Sequence, residues 1–225
     1  VVIGIIIFWN RSLKKEIEKR IEVEEKLQAS LQEINYQKLI VEEKSQEITD
    51  SIEYAKTIQS AILPSPKVID EFLKDSFVLY KPKDIVAGDF YWLEAKEDRV
   101  LFAVADCTGH GVPGAMISVV CNNALNRSVR EYNLFDPGEI LDKARDIVIQ
   151  EFEKSETEVR DGMDIAICSL IGDKLEYAGA HNPLWIVRNG ILLETKADKQ
   201  PIGKFENLQP YNTHSLQLEK GDTIY

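Results

Sequence analysis

Residues 12 to 62 contain neither glycine nor proline and are rich in Glu, Lys, Gln, Leu and Ile. A run of that composition predicts one helix, roughly 75 Å long at about 1.5 Å per residue. Stepping by seven from Leu13 meets Leu13, Arg20, Leu27, Ile34, Val41, Ile48, Ala55 and Ile62, of which seven in eight are apolar. The companion series Ile17, Glu24, Leu31, Lys38, Ser45, Ile52 and Gln59 is apolar at only three of seven. One continuous stripe and one interrupted stripe predict a dimeric coiled coil of modest stability over residues 10–63, suited to a signalling helix whose packing can change. A solvated single helix bridging two domains is the plain alternative. "LPSPK" (63–67) then ends the helix, because neither Pro64 nor Pro66 can continue it, and a linker over 64–75 follows.

Ahead of the helix, "VVIGIIIFW" (1–9) is uninterrupted apolar sequence, too short to span a bilayer alone. Residues 10–20 place Arg11, Lys14, Lys15, Lys19 and Arg20 against only Glu16 and Glu18. That is how the cytoplasmic flank of a spanning helix looks, with Trp9 at the interface. The expectation is the inner end of a truncated transmembrane helix, hence a membrane-anchored protein with the coiled coil and the following domain cytoplasmic. A signal-peptide core lacks its basic lead and cleavage site here, and a buried strand leaves the basic flank unexplained. The first residue is not methionine, and the final "GDTIY" reads as a strand just beginning, so the chain reads as a piece of a longer protein.

Beyond residue 75 the periodicity changes. "SFVLYKP" (76–82), "DFYWLEA" (89–95) and "RVLFAVAD" (99–106) are short β-branched and aromatic runs that predict strands, the last two joined by the turn "KED". A helix is expected over 112–132 with Pro113 in its first turn. A second is expected over 136–154, with Asp136 as N-cap, Pro137 at N1 and Glu139 completing a capping-box pattern. After "EVRDG" come strand patterns in "MDIAICSLIG", "KLEYAGA", "PLWIVRNGILLET" with an Asn189-Gly190 hairpin turn, and "HSLQLEKGDTIY". Strands cluster around a helical pair, which predicts an α+β layered domain with antiparallel sheets over residues 76–225.

Of the formal net charge of −11, residues 66–225 carry 18 basic against 27 acidic residues. Such a surface disfavours nucleic acid. If the substrate is an anion, bound divalent cations are the natural source of local positive charge. The three cysteines, Cys107, Cys121 and Cys168, form no CxxC pair, which argues for reduced thiols over a disulfide framework or a zinc site. Cys107 precedes a helix start, so a thiol nucleophile is conceivable there, but the loop lacks an arginine-bearing phosphate cradle.

The chemistry concentrates in "VAGDFYWL" (86–93) and "VLFAVADCTGHGVPGAM" (100–116). A hairpin would carry Asp89 and Asp106 to one end of a sheet, where two carboxylates repel unless a cation lies between them. Hard oxygen ligands suit Mg²⁺ or Mn²⁺. Gly109 and Gly111 let the backbone come close to a ligand, and the helix after them turns its N-terminus towards an anion. His110 sits between the two glycines. Singly, each feature is ordinary turn punctuation; the conjunction is not.

In this order and at these separations, "VAGDFYW", "VADCTGHGVPGAM", "DGMDIAICSL" and "YAGAHNPLWIVRNG" resemble the SpoIIE-like branch of the PPM-type (protein phosphatase 2C-like) metal-dependent serine/threonine phosphatases. "SIEYAKTIQSAILPSP" is similar to the helical linker that leads into that domain, so the resemblance covers residues 51–225. It implies an α-β-β-α layered sandwich, two divalent cations (Mn²⁺ or Mg²⁺), and direct hydrolysis of phosphoserine or phosphothreonine by activated water. Asp89 matches one metal aspartate, with Ala87 standing where the family usually has glycine. Asp106 matches the aspartate that bridges two metals, and Cys107 would lend its backbone carbonyl. Gly109-His110-Gly111 matches a loop whose histidine is expected to protonate the leaving oxygen. Asp164 is a tempting third ligand although the family's metal aspartates lie elsewhere, and His181-Asn182-Pro183 reads as a structural turn. The family's strand beginning "GDTIY" runs on into further metal aspartates, so these 225 residues hold half a metal site and are expected to turn over little by themselves. The implied partners are a phosphoprotein such as an anti-sigma-factor antagonist, a second copy through the coiled coil, and the membrane. A non-enzymatic relay that keeps the fold is the rival reading. A diguanylate cyclase signature at "AGDFYW" is disfavoured by Tyr91-Trp92 and by the Gly-His-Gly loop.

Overall fold

The structure, a computed structural model, describes residues 2–154 and 161–225, so the first three residues of the expected "EVRDG" turn lie outside it. The chain divides into two compact units, the first ending at Ser51 and the second comprising Ile52–Tyr225.

The first unit consists of helix only, the larger part of α1 (Val2–Ile62). Pairs such as Glu16–Arg20 and Lys38–Glu42, both 3.6 Å, support it at one turn's spacing. Leu13, Leu27, Ile34, Val41 and Ile48 are all between 58% and 65% exposed, since a lone helix cannot bury its own stripe. Among the described residues no helix is long and apolar enough to cross a membrane. This overturns the expected membrane anchor. Among the described residues the apolar run of α1 covers residues 2–9, about 12 Å against a hydrocarbon core about 30 Å thick, and the charged residues that follow continue the same helix.

The second unit is an α+β fold. The expected linker after Ile62 contains a short helix, α2 (Pro66–Phe72), started by Ser65, whose hydroxyl accepts the Val68 N–H, and by Pro66 at N1. The expected strand over 76–82 is extended coil. Among the described residues it pairs with no strand, and Phe77 and Leu79 stand 77% and 75% exposed. The remaining elements follow the sequence pattern closely: β1 (Phe90–Lys96), β2 (Arg99–Cys107), α3 (Gly111–Arg130), α4 (Pro137–Glu153), β3 (Met163–Ile171), β4 (Lys174–Ala180), β5 (Leu184–Arg188), β6 (Ile191–Thr195), β7 (His214–Gln217) and β8 (Thr223–Ile224). Asp136 caps α4 by accepting the Glu139 N–H at 3.1 Å. Asn189 and Gly190 both adopt positive φ, the two-residue turn that matches strand twist.

Two antiparallel sheets result, one ordered β1-β2-β3-β4-β7 and the other β6-β5-β8. The inward face of the larger sheet, with Phe90, Trp92, Leu101, Ala103, Ile165 and Ile167, packs on α3 and α4 through Cys121, Leu125, Leu141 and Val148. At about 1.5–3 kcal/mol per buried large side chain, this layer is the main source of stability. The opposite face, through Cys168, Leu175 and Tyr177, meets Leu184 and Ile186 of the smaller sheet. The described residues thus form the helix, sheet and sheet layers of the expected sandwich.

Candidate active site

Strand alternation decides what lies at the end of the larger sheet. Phe90 pairs with Ala105, so Asp89, one residue earlier, falls opposite Asp106. Phe90 and Ala105 point into the helical core, which turns both aspartates to the other face. The next ladder pairs Asp106 with Asp164. Three carboxylates therefore lie in a row across β1, β2 and β3. Asp89 feels the crowding: partial burial first, then the charge and hydrogen bonding of Asp106, hold its carboxyl above the ordinary range. A pair of oxygen donors forced together in this way fits a hard divalent cation.

The bend after β2 is fixed by backbone contacts that exclude side chains. Thr108 N–H donates to the Gly162 carbonyl at 3.0 Å, and Gly162 N–H to the Thr108 hydroxyl at 3.2 Å, latching the end of β2 to the start of β3. Gly109 and Gly111 adopt φ of +84° and +63°, where a side chain is strained. A Cβ on Gly88 would lie 2.7 Å from the Gly109 carbonyl and 3.0 Å from that of Cys107; one on Gly114 would lie 2.5 Å from the Gly109 carbonyl. Gly88 and Gly114 thus bring the "VAGD" segment, the Gly-His-Gly loop and α3 into backbone contact. The helix begins at Gly111, two residues ahead of Pro113, with His110 as its extended N-cap.

His110 is exposed, and its Nδ1 lies 2.8 Å from Asp84 Oδ2. Cys107 is buried beside Cys121, and that contact and burial push its thiol well above the ordinary cysteine range. A thiol nucleophile is thereby excluded, while the Cys107 carbonyl faces Gly88. Asp164 has His181 as a partner, Oδ1 to Nδ1 at 2.8 Å. His181 is held at φ +57° while its N–H donates to the Asp198 carbonyl. On the β3 side of Asp106 opens a pocket of about 340 Å³ whose walls include Thr108, Gly109, Asp164 and Lys204.

The sequence reading brought Asp89, Asp106 and the glycine loop together, and the structure agrees. It missed Asp84, Lys204 and Gln59. Gln59, the one buried residue of α1, accepts the Ala87 N–H at 3.1 Å, donates to the Ala87 carbonyl at 2.6 Å, and reaches the Ser118 hydroxyl of α3 at 2.9 Å. A signal existed: Gln59 is one of the polar interruptions in the companion stripe of the helix.

Comparison with known proteins identifies relatives of the fold. The family model described as Stage II sporulation protein E (SpoIIE) matches residues 96–225. Phosphoserine phosphatase RsbU of Bacillus subtilis (strain 168) is 26% identical over 182 residues, covering 80% of this chain and 52% of the relative, so the chain spans about half the length of that curated protein. The SiaA-PP2C domain of Pseudomonas aeruginosa superposes with a TM-score of 0.71 at 29% identity, covering 80% of this chain and 71% of that one. The RsbU and RsbW domains of a Mycobacterium tuberculosis protein match with a TM-score of 0.50 at 22% identity over 63% of this chain and 38% of that one, a likeness of fold alone.

Proposed function

This chain belongs to the SpoIIE family, and on that footing we propose that it is a metal-dependent phosphoprotein phosphatase acting on phosphoserine or phosphothreonine of a signalling protein. The observation that carries the reading is the Asp89–Asp106 pair, set across β1 and β2 beside the Gly-His-Gly loop. Asp89, Asp106 and the Cys107 carbonyl are the groups that would hold two divalent cations, Mn²⁺ or Mg²⁺. When bound, such cations acidify water and neutralise phosphoryl oxygens.

The chain's own residues set the stage for that chemistry. The side-chain-free backbone at Gly109 and Gly111 leaves room for a phosphoryl group, and α3 presents its N-terminal N–H groups there. Asp84 fixes one face of the His110 ring through Nδ1, which leaves Nε2 to give a proton to the departing seryl or threonyl oxygen. No cysteine thiol takes part. Residues 10–63 pair two copies as a parallel coiled coil, which would cover the exposed Leu13–Ile48 stripe. The family resemblance implies a phosphoprotein of the anti-sigma-factor-antagonist class as partner, and the likeness to a phosphoserine phosphatase supports a phosphoserine substrate.

Asp89 and Asp106 fall short of the roughly six oxygens each small divalent cation demands. Turnover by these 225 residues alone is therefore expected to be slow, with further carboxylates needed for full activity. The test is phosphate release from a phosphoserine peptide with protein in excess. Slow release that requires Mn²⁺ and disappears in Asp106→Asn is expected. Robust turnover by this chain would refute the need for further ligands, and metal-independent release would refute the reading itself.

A further inference from the structure

A pocket of about 340 Å³ lies on the β3 side of Asp106. Asp106 and Gly109 form part of its wall, so it opens directly beside the proposed cation ligands. Its lining includes two carboxylates, Asp106 and Asp164. An anion entering it would be repelled unless those charges are offset. Asp106 is offset by the cation it is proposed to hold, and Asp164 is hydrogen-bonded to the His181 ring nitrogen at 2.8 Å, a contact that does not by itself supply a positive charge. Among the described residues that line the pocket, Lys204 is the one cation.

Lys204 is set on a braced segment. Two residues before it, Ile202 is fully buried and exchanges both backbone hydrogen bonds with Met163, at 3.1 and 2.9 Å, next to Asp164 in β3. The Tyr211 hydroxyl donates to the Pro201 carbonyl at 2.9 Å, and the Gln200 side chain spans the base of the loop by hydrogen bonds of 2.7 and 3.0 Å to Gln209. Among the described residues the ammonium group has one loose contact, 3.5 Å to Glu153, with the two side chains 36% and 55% exposed. An exposed pair at that separation contributes little to stability. A braced stem with a loosely held ammonium head suits a residue whose working partner arrives from solution, and an ammonium is a compact point charge well matched to a phosphoryl oxygen.

We propose that this pocket seats the phosphorylated side chain of the substrate and that Lys204 binds its phosphoryl group. The assignment rests on the reading of Asp89 and Asp106 as cation ligands and adds to it a specificity-determining residue drawn from a distant loop. The experiment measures Mn²⁺ binding by electron paramagnetic resonance, and then binding of a fluorescent phosphoserine peptide and its unphosphorylated twin by anisotropy at saturating Mn²⁺. Wild type, Lys204→Met and Lys204→Arg are compared, each checked for unchanged melting temperature. The expected result is preference of wild type for the phosphorylated peptide, at least tenfold weaker binding in Lys204→Met, recovery to within threefold in Lys204→Arg, and equal Mn²⁺ binding in all three. Equal phosphopeptide binding by wild type and Lys204→Met overturns the proposal, as does Mn²⁺ binding without any preference for the phosphorylated peptide. Absence of Mn²⁺ binding in wild type overturns the cation reading, and this assignment with it.

Discussion

Replacing Asp106 with asparagine should move thermal stability in opposite directions with and without a divalent cation. Directly opposed cross-strand residues hold their Cβ atoms about 4.5–5.5 Å apart, and two unit charges near that separation repel by about 1 kcal/mol in water and about 3 kcal/mol at an effective dielectric of 20. Both side chains reach solvent, so the lower figure applies. In EDTA at pH 7, Asp106→Asn should therefore be more stable than wild type by about 1 kcal/mol, a rise of about 2–4 °C for a domain of this size. The sign against pH follows from Asp89, whose carboxyl is raised in the folded state. The folded protein then holds that proton more readily than the unfolded chain, and metal-free wild type loses stability as pH rises from the ordinary carboxylate value through the raised one. The advantage of the variant should shrink as pH falls through the raised Asp89 value, where that carboxyl takes up its proton and the repulsion is lost. With Mn²⁺ at about a hundred times its dissociation constant, wild type gains about 2.7 kcal/mol, about 5–11 °C, and Asp106→Asn gains nothing. Differential scanning calorimetry in EDTA and in Mn²⁺ reads both arms. A variant less stable than wild type in EDTA, or stabilised by Mn²⁺ to the same extent, would refute the reasoning.

Three further outcomes follow from the packing. Gly114→Ala puts a methyl 2.5 Å from the Gly109 carbonyl, where only backbone can yield, and should lower stability by about 1–3 kcal/mol and weaken Mn²⁺ binding, read by calorimetry and spin resonance. Gln59→Leu leaves the buried Ala87 peptide without its side-chain partners and should cost about 1–3 kcal/mol in a denaturant melt. Cys107→Ala removes a buried thiol and should keep the Mn²⁺-dependent phosphate release of the parent, while native protein resists alkylation at Cys107, Cys121 and Cys168 by mass spectrometry.

Local pattern made the second unit largely legible. Period-two alternation in 90–95 and 99–106 with a short charged turn allowed one hairpin register, and that register alone put Asp89 opposite Asp106. The caps of α4 and the Asn189-Gly190 turn were equally local. What escaped depended on distant partners. "SFVLYKP" has strand composition, but its Tyr80 ring turns edge-on to Tyr91 and its hydroxyl reaches the Asp89 carbonyl, so the segment braces the site as coil. Asp84 meets His110 across 26 residues, and Gln59 meets Ala87 across 28. Gly88 is required by a carbonyl that the fold delivers from residue 109, a contact no local pattern shows. The apolar opening misled for a different reason: its composition and basic flank match a membrane boundary, while among the described residues no helix is long and apolar enough to cross one.

Joint binding of divalent cations by Asp89 and Asp106 carries the proposed function. Titration of the chain with Mn²⁺, followed by loss of the free-ion paramagnetic signal, tests it most directly when wild type, Asp89→Asn, Asp106→Asn and Asp173→Asn are compared. Asp173, in the turn between β3 and β4, serves as the control. The account predicts binding in wild type and Asp173→Asn and at least tenfold weaker binding in each of the other two. Equal binding by all four proteins would contradict it.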